Sequence, residues 1–191
     1  ADIWCPTCEL TLLYTRKYSH VSRADYWIAA AHAVIRQTSI CNALDLKEIF
    51  LWGRKDMDSC QGSGERLPTA AGCDQTEEVF VRKLGLEWKD AVALMGGHTL
   101  GRGSTEHQGS WAGTNQQAQV FDKGYYDQIF NKAWWPRNDE HPAKDWVTTR
   151  GGSVDGLMLN TDICLAFDID TVSKDGSPCC TEINEECTGP E

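Results

Sequence analysis

The sequence predicts a mainly α-helical fold, and three observations support this prediction. The chain has 191 residues, 41% of them hydrophobic and eight of them Trp. This is enough apolar material for one packed core, and the chain is short for two full domains. Several stretches carry apolar residues at helical spacing between capping residues and glycines. No stretch shows the clear two-residue alternation that is typical of a half-buried strand.

The first predicted helix covers residues 24–36, an Ala-rich stretch that follows Ser22, a residue type favoured at helix N-termini. Its apolar residues lie nearly all round the helix, so we expect it to be buried. Residues 37–74 mix Gly, Ser and Asp with three Cys. They are predicted to form a long ordered connector, and connectors of that length are usually functional or cross-linked.

Three helices follow the connector. One covers residues 77–84, with Asp74 as its N-cap and Gly85 as its stop. The next covers residues 87–95 and runs into a pair of glycines. A further helix covers residues 121–132, and its apolar face is predicted to contain Phe121, Tyr125, Ile129 and Phe130.

The last part of the chain divides at about residue 168. Residues 155–167 hold an apolar burst followed by a last helix, for which Asp162 is a candidate N-cap. Beyond residue 168, the Pro, Gly, Cys and acidic residues predict a tail pinned by cysteines. Three segments are therefore predicted: a cysteine-containing N-terminal segment at 1–20, a main domain at 21–168, and an acidic cysteine-rich tail at 169–191.

Charge and hydropathy restrict the partners of the protein. Most of the formal charge of −10 comes from residues 155–191, which hold nine acidic residues and one Lys. The remainder is close to neutral and lacks the excess of basic residues that a nucleic acid would require, so no nucleic acid is expected. No apolar run approaches the roughly 18 residues of a membrane span, and no signal peptide opens the chain. We expect a soluble protein without a membrane span. Because no calcium-binding loop pattern occurs in the acidic tail, we expect that tail to be solvated.

Nine cysteines in 191 residues are more typical of disulfides in an oxidising compartment than of a reduced cytosol. This predicts disulfide-rich loops and a secreted, extracellular or organelle-lumen location. Because the count is odd, one thiol stays free or pairs with another molecule. Cys5 and Cys8 form a C-x-x-C pair, for which a disulfide role is favoured over a metal or redox site, since no second pair accompanies it.

His98 is the most informative titratable residue. A His just past a helix is more often structural than a ligand. However, the neighbouring Gly96 and Gly97 carry no side chain that would keep a large planar group away from the helix end. The imidazole could then bind the iron of a macrocycle, provided that an acceptor fixes its far nitrogen. Asp162, which lies in an apolar setting, is the best candidate for that acceptor.

The segment Asp90–Arg102, DAVALMGGHTLGR, resembles the proximal-histidine signature of the plant, fungal and bacterial haem peroxidase superfamily. Other segments are similar to motifs of that family and occur in the family's order over about residues 20–168. Gly109–Trp111 is similar to a motif of the ascorbate and cytochrome c peroxidases in particular. The remaining similar segments are Val21–Asp25, Trp52–Asp56, Arg66–Pro68, Phe121–Tyr126 and Met158–Asp162.

The resemblance implies a haem-peroxidase-like helical domain with haem b as cofactor, and hydrogen peroxide and a reducing substrate as reactants. His98 would be the proximal iron ligand and Asp162 its hydrogen-bonded partner. Trp111 would stack beside them, either as an electron-transfer residue or as a core aromatic. Further haem contacts would come from Leu67, Pro68, Leu94, Gly97 and Arg102.

Some relatives bind a cation on the proximal side of the haem, at positions that Thr99 and Asp122 occupy in this chain. Ala112 stands where a further oxygen ligand would be needed, so the resemblance implies this cation only weakly. The interval from His98 to Trp111 is also shorter than the family pattern, which predicts a reshaped loop.

The family cleaves peroxide with a distal helix of the pattern R-x-x-[FW]-H, and this chain has no such segment. Arg23–Trp27 carries Trp in place of the His and matches the central helix instead. We therefore expect an oxidoreductase chain that lacks the N-terminal distal part and supplies the proximal haem half. The rest would come from a second polypeptide, which a disulfide could join to this chain, or it was cut away, or it belongs to a part of the protein outside these 191 residues. The alternative is a catalytically silent, peroxidase-like structural or interaction subunit of an extracellular or lumenal assembly.

Overall fold

The structure is a computed structural model, and the chain divides into two compact units, residues 1–61 and 62–191. The predicted haem contact Pro68 and the acidic tail lie outside the described residues. The predicted division at residues 20 and 168 stays a prediction. The structure describes residues 6–40, 44–67, 72–103, 109–114, 116–136, 145–148 and 156–167.

Two helices dominate the first unit. Helix α1 spans Pro6–Leu13 and continues as a π-helical turn, and α2 spans Arg23–Thr38. The hydroxyl of Ser22 accepts the N–H of Asp25 at 3.1 Å, which confirms the predicted helix and its cap. A short 3-10 helix covers Lys47–Ile49 within the predicted connector.

The prediction that α2 is buried is wrong. Asp25 and Tyr26 are its buried residues, whereas Val34 is 50% exposed and Trp27 is 40% exposed. The apolar residues lie nearly all round the helix, and the described elements of the first unit do not cover them all. The result is an apolar groove of about 720 Å³.

A turn within the predicted connector is tied to the first turn of α2 by two carboxylates. Asp56 accepts hydrogen bonds from the backbone N–H groups of Arg23 and Ala24, both at 2.9 Å. These N–H groups lie in the first turn of α2, where no carbonyl of the helix can accept them. Asp25 accepts the N–H of Gly53 at 2.8 Å and the guanidinium of Arg54 at 2.9 Å. The pKa of the Asp25 carboxyl is lowered, first by the Gly53 N–H and also by Arg54.

The helices of the second unit are short and confirm a mainly α class. The predicted helix at 77–84 begins earlier than expected: α3 covers Cys73–Thr76 and continues as a π-helical stretch over Glu77–Lys83. Its N-cap is Gly72, so Asp74 lies inside the first turn. The other helical elements are Gly64–Arg66 (3-10), α4 at Trp88–Met95, Gly96–Thr99 (3-10), Gln117–Gln119 (3-10), α5 at Gly124–Asn131 and α6 at Asn160–Ile163.

Three short strands, which the sequence pattern did not predict, form an antiparallel sheet in the order β1-β2-β3. They span Trp135–Pro136, Asp145–Val147 and Leu157–Leu159. Trp146 lies opposite Met158 in the register. Strands of two or three residues are too short to show an alternating pattern. The apolar burst before Asp162 is therefore a strand that leads directly into α6.

The core of the second unit lies between α4, α5, α6 and the sheet. A disulfide joins Cys73 to Cys164 across 91 residues of sequence, with the two Cα atoms 5.6 Å apart, and Cys8 is also disulfide-bonded. The prediction of disulfides is thus confirmed. Among the described helices, none is long and apolar enough to cross a membrane. The core consists of Met95, Tyr125, Ile129, Trp134, Trp146, Met158, Ile163 and Ala166.

Candidate functional site

Asp162 is a fully buried carboxylate at the start of α6. Strand β3 ends at Leu159, and the helix begins at the next residue, which places Asp162 in its first turn. The helix N-cap is Leu159 rather than Asp162. The Asp162 side chain nevertheless serves the helix start, because its Oδ2 accepts the N–H of Leu159 at 2.7 Å.

Both oxygens of Asp162 accept two hydrogen bonds each. Oδ1 accepts from His98 Nδ1 at 2.8 Å and from the Tyr125 hydroxyl at 2.7 Å. Oδ2 accepts from the Trp111 indole N–H at 2.7 Å in addition to the N–H of Leu159. An ionised carboxylate has about four acceptor positions. The four donors therefore satisfy a group that would otherwise be costly to bury.

This arrangement determines the tautomer of His98. The Trp111 indole and the Leu159 amide can only donate, so Asp162 acts as an acceptor. In a neutral His98, the proton then lies on Nδ1 and the lone pair on Nε2. Among the described residues, Nε2 has no hydrogen-bond partner, and the His98 side chain is 37% exposed. A neutral imidazole in this tautomer is a metal ligand through Nε2.

The backbone around His98 explains its orientation. Helix α4 begins with reciprocal capping between Glu87 and Asp90 and ends at Met95, after which Gly96–Thr99 tightens into a 3-10 turn. The imidazole leaves this turn between two aromatic rings. It stacks on Trp111 with centroids 4.5 Å apart and an angle of 26°, and it meets the edge of Tyr125 at 5.8 Å and 87°.

Trp111 reaches this site although the interval from His98 is short. The N–H of Gly103 donates to the carbonyl of Gly109 at 2.9 Å, which holds these two residues together. Ser110 then pairs with Gly156, next to strand β3. Because β3 leads to Asp162, this pairing brings the indole to the carboxylate.

Tyr125 belongs to the site, although sequence reasoning assigned it only to a helix face. It is fully buried on α5, and its hydroxyl donates to Asp162. Burial first, and then the charge of Asp162, raise the pKa of the Tyr125 phenol well above its ordinary value. A buried hydroxyl requires a hydrogen-bond partner, and this requirement was the only signal in the sequence that Tyr125 belongs to a polar site. Helical spacing alone could not identify the partner.

The two glycines before His98 differ in their surroundings. A Cβ at Gly96 would collide with the Tyr126 hydroxyl, so this glycine is required by packing within the protein. A Cβ at Gly97 would meet no atom within 4 Å. Only Gly97 therefore leaves open space beside the helix end for another molecule.

The other predicted haem contacts lie on the surface. Leu94 is 57% exposed on α4, and Leu67 is 70% exposed. The Arg102 side chain is exposed, and it has no ion-pair partner within the described part of the chain. No hydrogen bond or ring contact connects these three side chains to the cluster of His98, Trp111 and Asp162 among the described residues.

The residues at the predicted cation position contact each other. Thr99 is buried, and its hydroxyl donates to Asp122 Oδ1 at 3.0 Å. Asp122 Oδ1 also accepts the N–H of Gly124 at 2.7 Å. Ala112 is buried and offers no side-chain oxygen. The described residues contain no group of three His, Cys, Asp or Glu side chains arranged for a metal ion.

The chain is similar to known peroxidases. The sequence profile of the family described as Peroxidase matches residues 11–173. The chain is 43% identical over 82 residues to L-ascorbate peroxidase 3 of Arabidopsis thaliana, which covers 42% of this chain and 28% of that protein. It is 30% identical over 155 residues to a mitochondrial cytochrome c peroxidase of Pyricularia oryzae, covering 80% of this chain and 40% of that protein.

A third relative is the probable peroxisomal L-ascorbate peroxidase 4 of Oryza sativa, which is 42% identical over 81 residues, or 42% of this chain and 27% of that protein. The chain thus spans between about a quarter and two fifths of the length of these relatives. The profile match, by contrast, covers most of the chain. On that match, the chain belongs to the peroxidase family.

Proposed function

We propose that this chain supplies the proximal haem half of a peroxidase, which reduces hydrogen peroxide and oxidises a reducing substrate. The observation that supports the proposal is the His98 imidazole itself. Its Nδ1 atom is hydrogen-bonded to a buried carboxylate at 2.8 Å, whereas Nε2 has no partner among the described residues, in a side chain that is 37% exposed. A structural histidine in a core would have both ring nitrogens satisfied or enclosed.

The residues present fit a haem group. His98 would ligate the iron through Nε2, and Gly97 leaves the space that a flat macrocycle needs beside the ligand. The exposed side chains of Leu94 and Leu67 would supply apolar contacts to the macrocycle, and Arg102 would pair with a haem propionate. When bound, haem supplies the iron that exchanges electrons with peroxide and with the reducing substrate.

The chain's own residues would set the properties of the ligand. Asp162 would hold the Nδ1 proton and so raise the basicity and fix the orientation of His98. The Trp111 indole would fix the second carboxylate oxygen by donating to it, and its ring would cover one face of the imidazole. Its stacked position also supports the role of an electron-transfer residue rather than only a core aromatic.

The test is reconstitution with haemin. Wild-type protein should develop the Soret band of a His-ligated haem, and the His98→Ala variant should lose it because the ligating nitrogen is gone. Added imidazole should restore the band in the variant. His20→Ala, which changes an exposed histidine in the first unit, is the matched control and should bind as the wild type does. An unchanged spectrum in His98→Ala would refute the assignment. A wild-type protein that gives no band would favour the catalytically silent subunit instead.

We further propose that a second polypeptide completes the peroxide-binding side. The apolar groove beside α2 supports this proposal, because Trp27 and Val34, which line it, expose large apolar side chains that soluble proteins usually cover. An amphipathic helical segment would fit such a groove.

The partner can be tested on protein isolated from its natural source. If the partner is disulfide-linked, the intact mass should fall on reduction by the mass of a whole polypeptide. Reduction of the Cys73–Cys164 bond, by contrast, adds only the mass of two hydrogen atoms. A mass that changes by hydrogens alone would contradict a disulfide-linked partner.

The same disulfide bears on the cellular compartment of the protein. The Cys73–Cys164 disulfide favours an oxidising compartment, secreted or lumenal. The relatives carry names that place them elsewhere, including the mitochondrial and peroxisomal proteins above. A secreted or lumenal location therefore stays a prediction.

A further inference from the structure

We propose that Tyr125 is a positioning residue that competes with His98 for Asp162 and thereby limits how strongly the carboxylate polarises the imidazole. The inference rests on the proposed function in one respect only, namely that His98 ligates iron. Its structural part concerns three residues of this chain and does not depend on a cofactor.

The geometry places both donors on the same oxygen. His98 Nδ1 and the Tyr125 hydroxyl reach Asp162 Oδ1 at 2.8 and 2.7 Å. The other oxygen is already occupied by the N–H groups of Trp111 and Leu159. Four donors fill the roughly four acceptor positions of this carboxylate, which is fully buried, so water has little access to replace a lost donor.

Hydrogen bonds to a buried carboxylate are charge-assisted and strong, because little water screens them. Each donor draws electron density from the oxygen that it contacts, so each weakens the bond that the other can make. The Tyr125 hydroxyl is a donor here, because it lies 2.7 Å from an oxygen of the carboxylate. Removing its hydroxyl should therefore strengthen the His98–Asp162 bond and make the imidazole a stronger electron donor.

The chain offers a matched control in the next residue. Tyr126 also lies on α5, but its hydroxyl donates to the Val92 carbonyl at 2.6 Å. Tyr126→Phe removes one partly buried hydroxyl from the same helix and leaves all four donors to Asp162 in place. Tyr125→Phe removes one hydroxyl as well, but from the carboxylate.

The first measurement uses the protein without cofactor. In the proton NMR spectrum, the resonance of the His98 Nδ1 proton should move downfield in Tyr125→Phe, because its hydrogen bond shortens. It should stay at the wild-type position in Tyr126→Phe. A His98 Nδ1 resonance that is identical in both variants would overturn the proposal.

The second measurement uses haem-reconstituted protein. A more strongly donating His98 stabilises the oxidised iron, so the reduction equilibrium in Tyr125→Phe should shift about tenfold toward the oxidised form, or ~59 mV for one electron. Tyr126→Phe should keep the wild-type potential. Equal potentials in wild type and Tyr125→Phe would contradict the proposed tuning.

The two measurements separate the two proposals. If wild-type protein fails to bind haem, the proposed function fails, while the NMR comparison still decides the role of Tyr125. If Tyr125→Phe does not fold, 3-fluorotyrosine at position 125 keeps the hydroxyl and makes it a stronger donor. The Nδ1 resonance should then move upfield, and an unchanged position would again overturn the proposal.

Discussion

Replacing Asp162 by Ala is expected to lower the free energy of unfolding of the second unit by about 3–6 kcal/mol. The substitution removes the acceptor of three donors besides His98, namely the indole of Trp111, the hydroxyl of Tyr125 and the amide of Leu159. A buried donor that loses its partner costs about 1–3 kcal/mol. Urea unfolding, followed by the fluorescence of the second unit's tryptophans, measures the change.

Two further variants identify the cause. Asp162→Asn keeps the volume of the side chain but has only one acceptor oxygen, and its NH₂ group faces two of the donors. A loss of about 2–3 kcal/mol in the free energy of unfolding is therefore expected. Asp127→Ala removes an exposed carboxylate of α5 and should change stability by less than about 0.5 kcal/mol. If Asp162→Ala and Asp127→Ala unfold at the same urea concentration, the hydrogen-bond cluster does not stabilise the unit.

Removing the Cys73–Cys164 disulfide should have an effect of similar size. The bond closes a loop of about 90 residues, and for such a loop the chain-entropy account gives about 4–5 kcal/mol. It also ties α3 to the residues that directly follow α6, the helix that carries Asp162. The double variant Cys73→Ala/Cys164→Ala should therefore unfold at a much lower urea concentration than the wild type.

The double variant is preferable to a reductant, because Cys8 is also disulfide-bonded and a reductant would break that bond too. Gln75→Ala, an exposed position on the same helix as Cys73, is the control and should be close to neutral. A double variant as stable as Gln75→Ala would show that packing alone holds α3 and α6 together.

Local signals in the sequence predicted the helices well where caps and stops were clear. Ser22 caps α2 as expected, and α4 lies within the predicted 87–95 segment. These features depend on interactions within a few residues, so the sequence pattern contains them. The sequence pattern did not reveal the strands, for the opposite reason. Each is two or three residues long and exists only because its neighbours pair with it.

The exposure of α2, which was predicted to be buried, shows another limit of sequence reasoning. A helix that is apolar nearly all round predicts burial, but burial requires other elements to cover it, and sequence hydropathy does not say whether they are present. Likewise, Gly96 and Gly97 are equivalent in sequence. Only the position of Tyr126 shows that the first serves internal packing and the second leaves open space.

By itself, the sequence determined the family-like motif around His98, the helical class and the identity of Asp162 and Trp111 as candidates. Only the tertiary structure decided that one carboxylate holds all of them, together with Tyr125. The donors lie 37, 51 and 64 residues from Asp162 along the chain. A hydrogen bond depends on atoms approaching within about 3 Å. Over such separations, that approach is set by the packing of β3, α5 and α6 and not by local propensity.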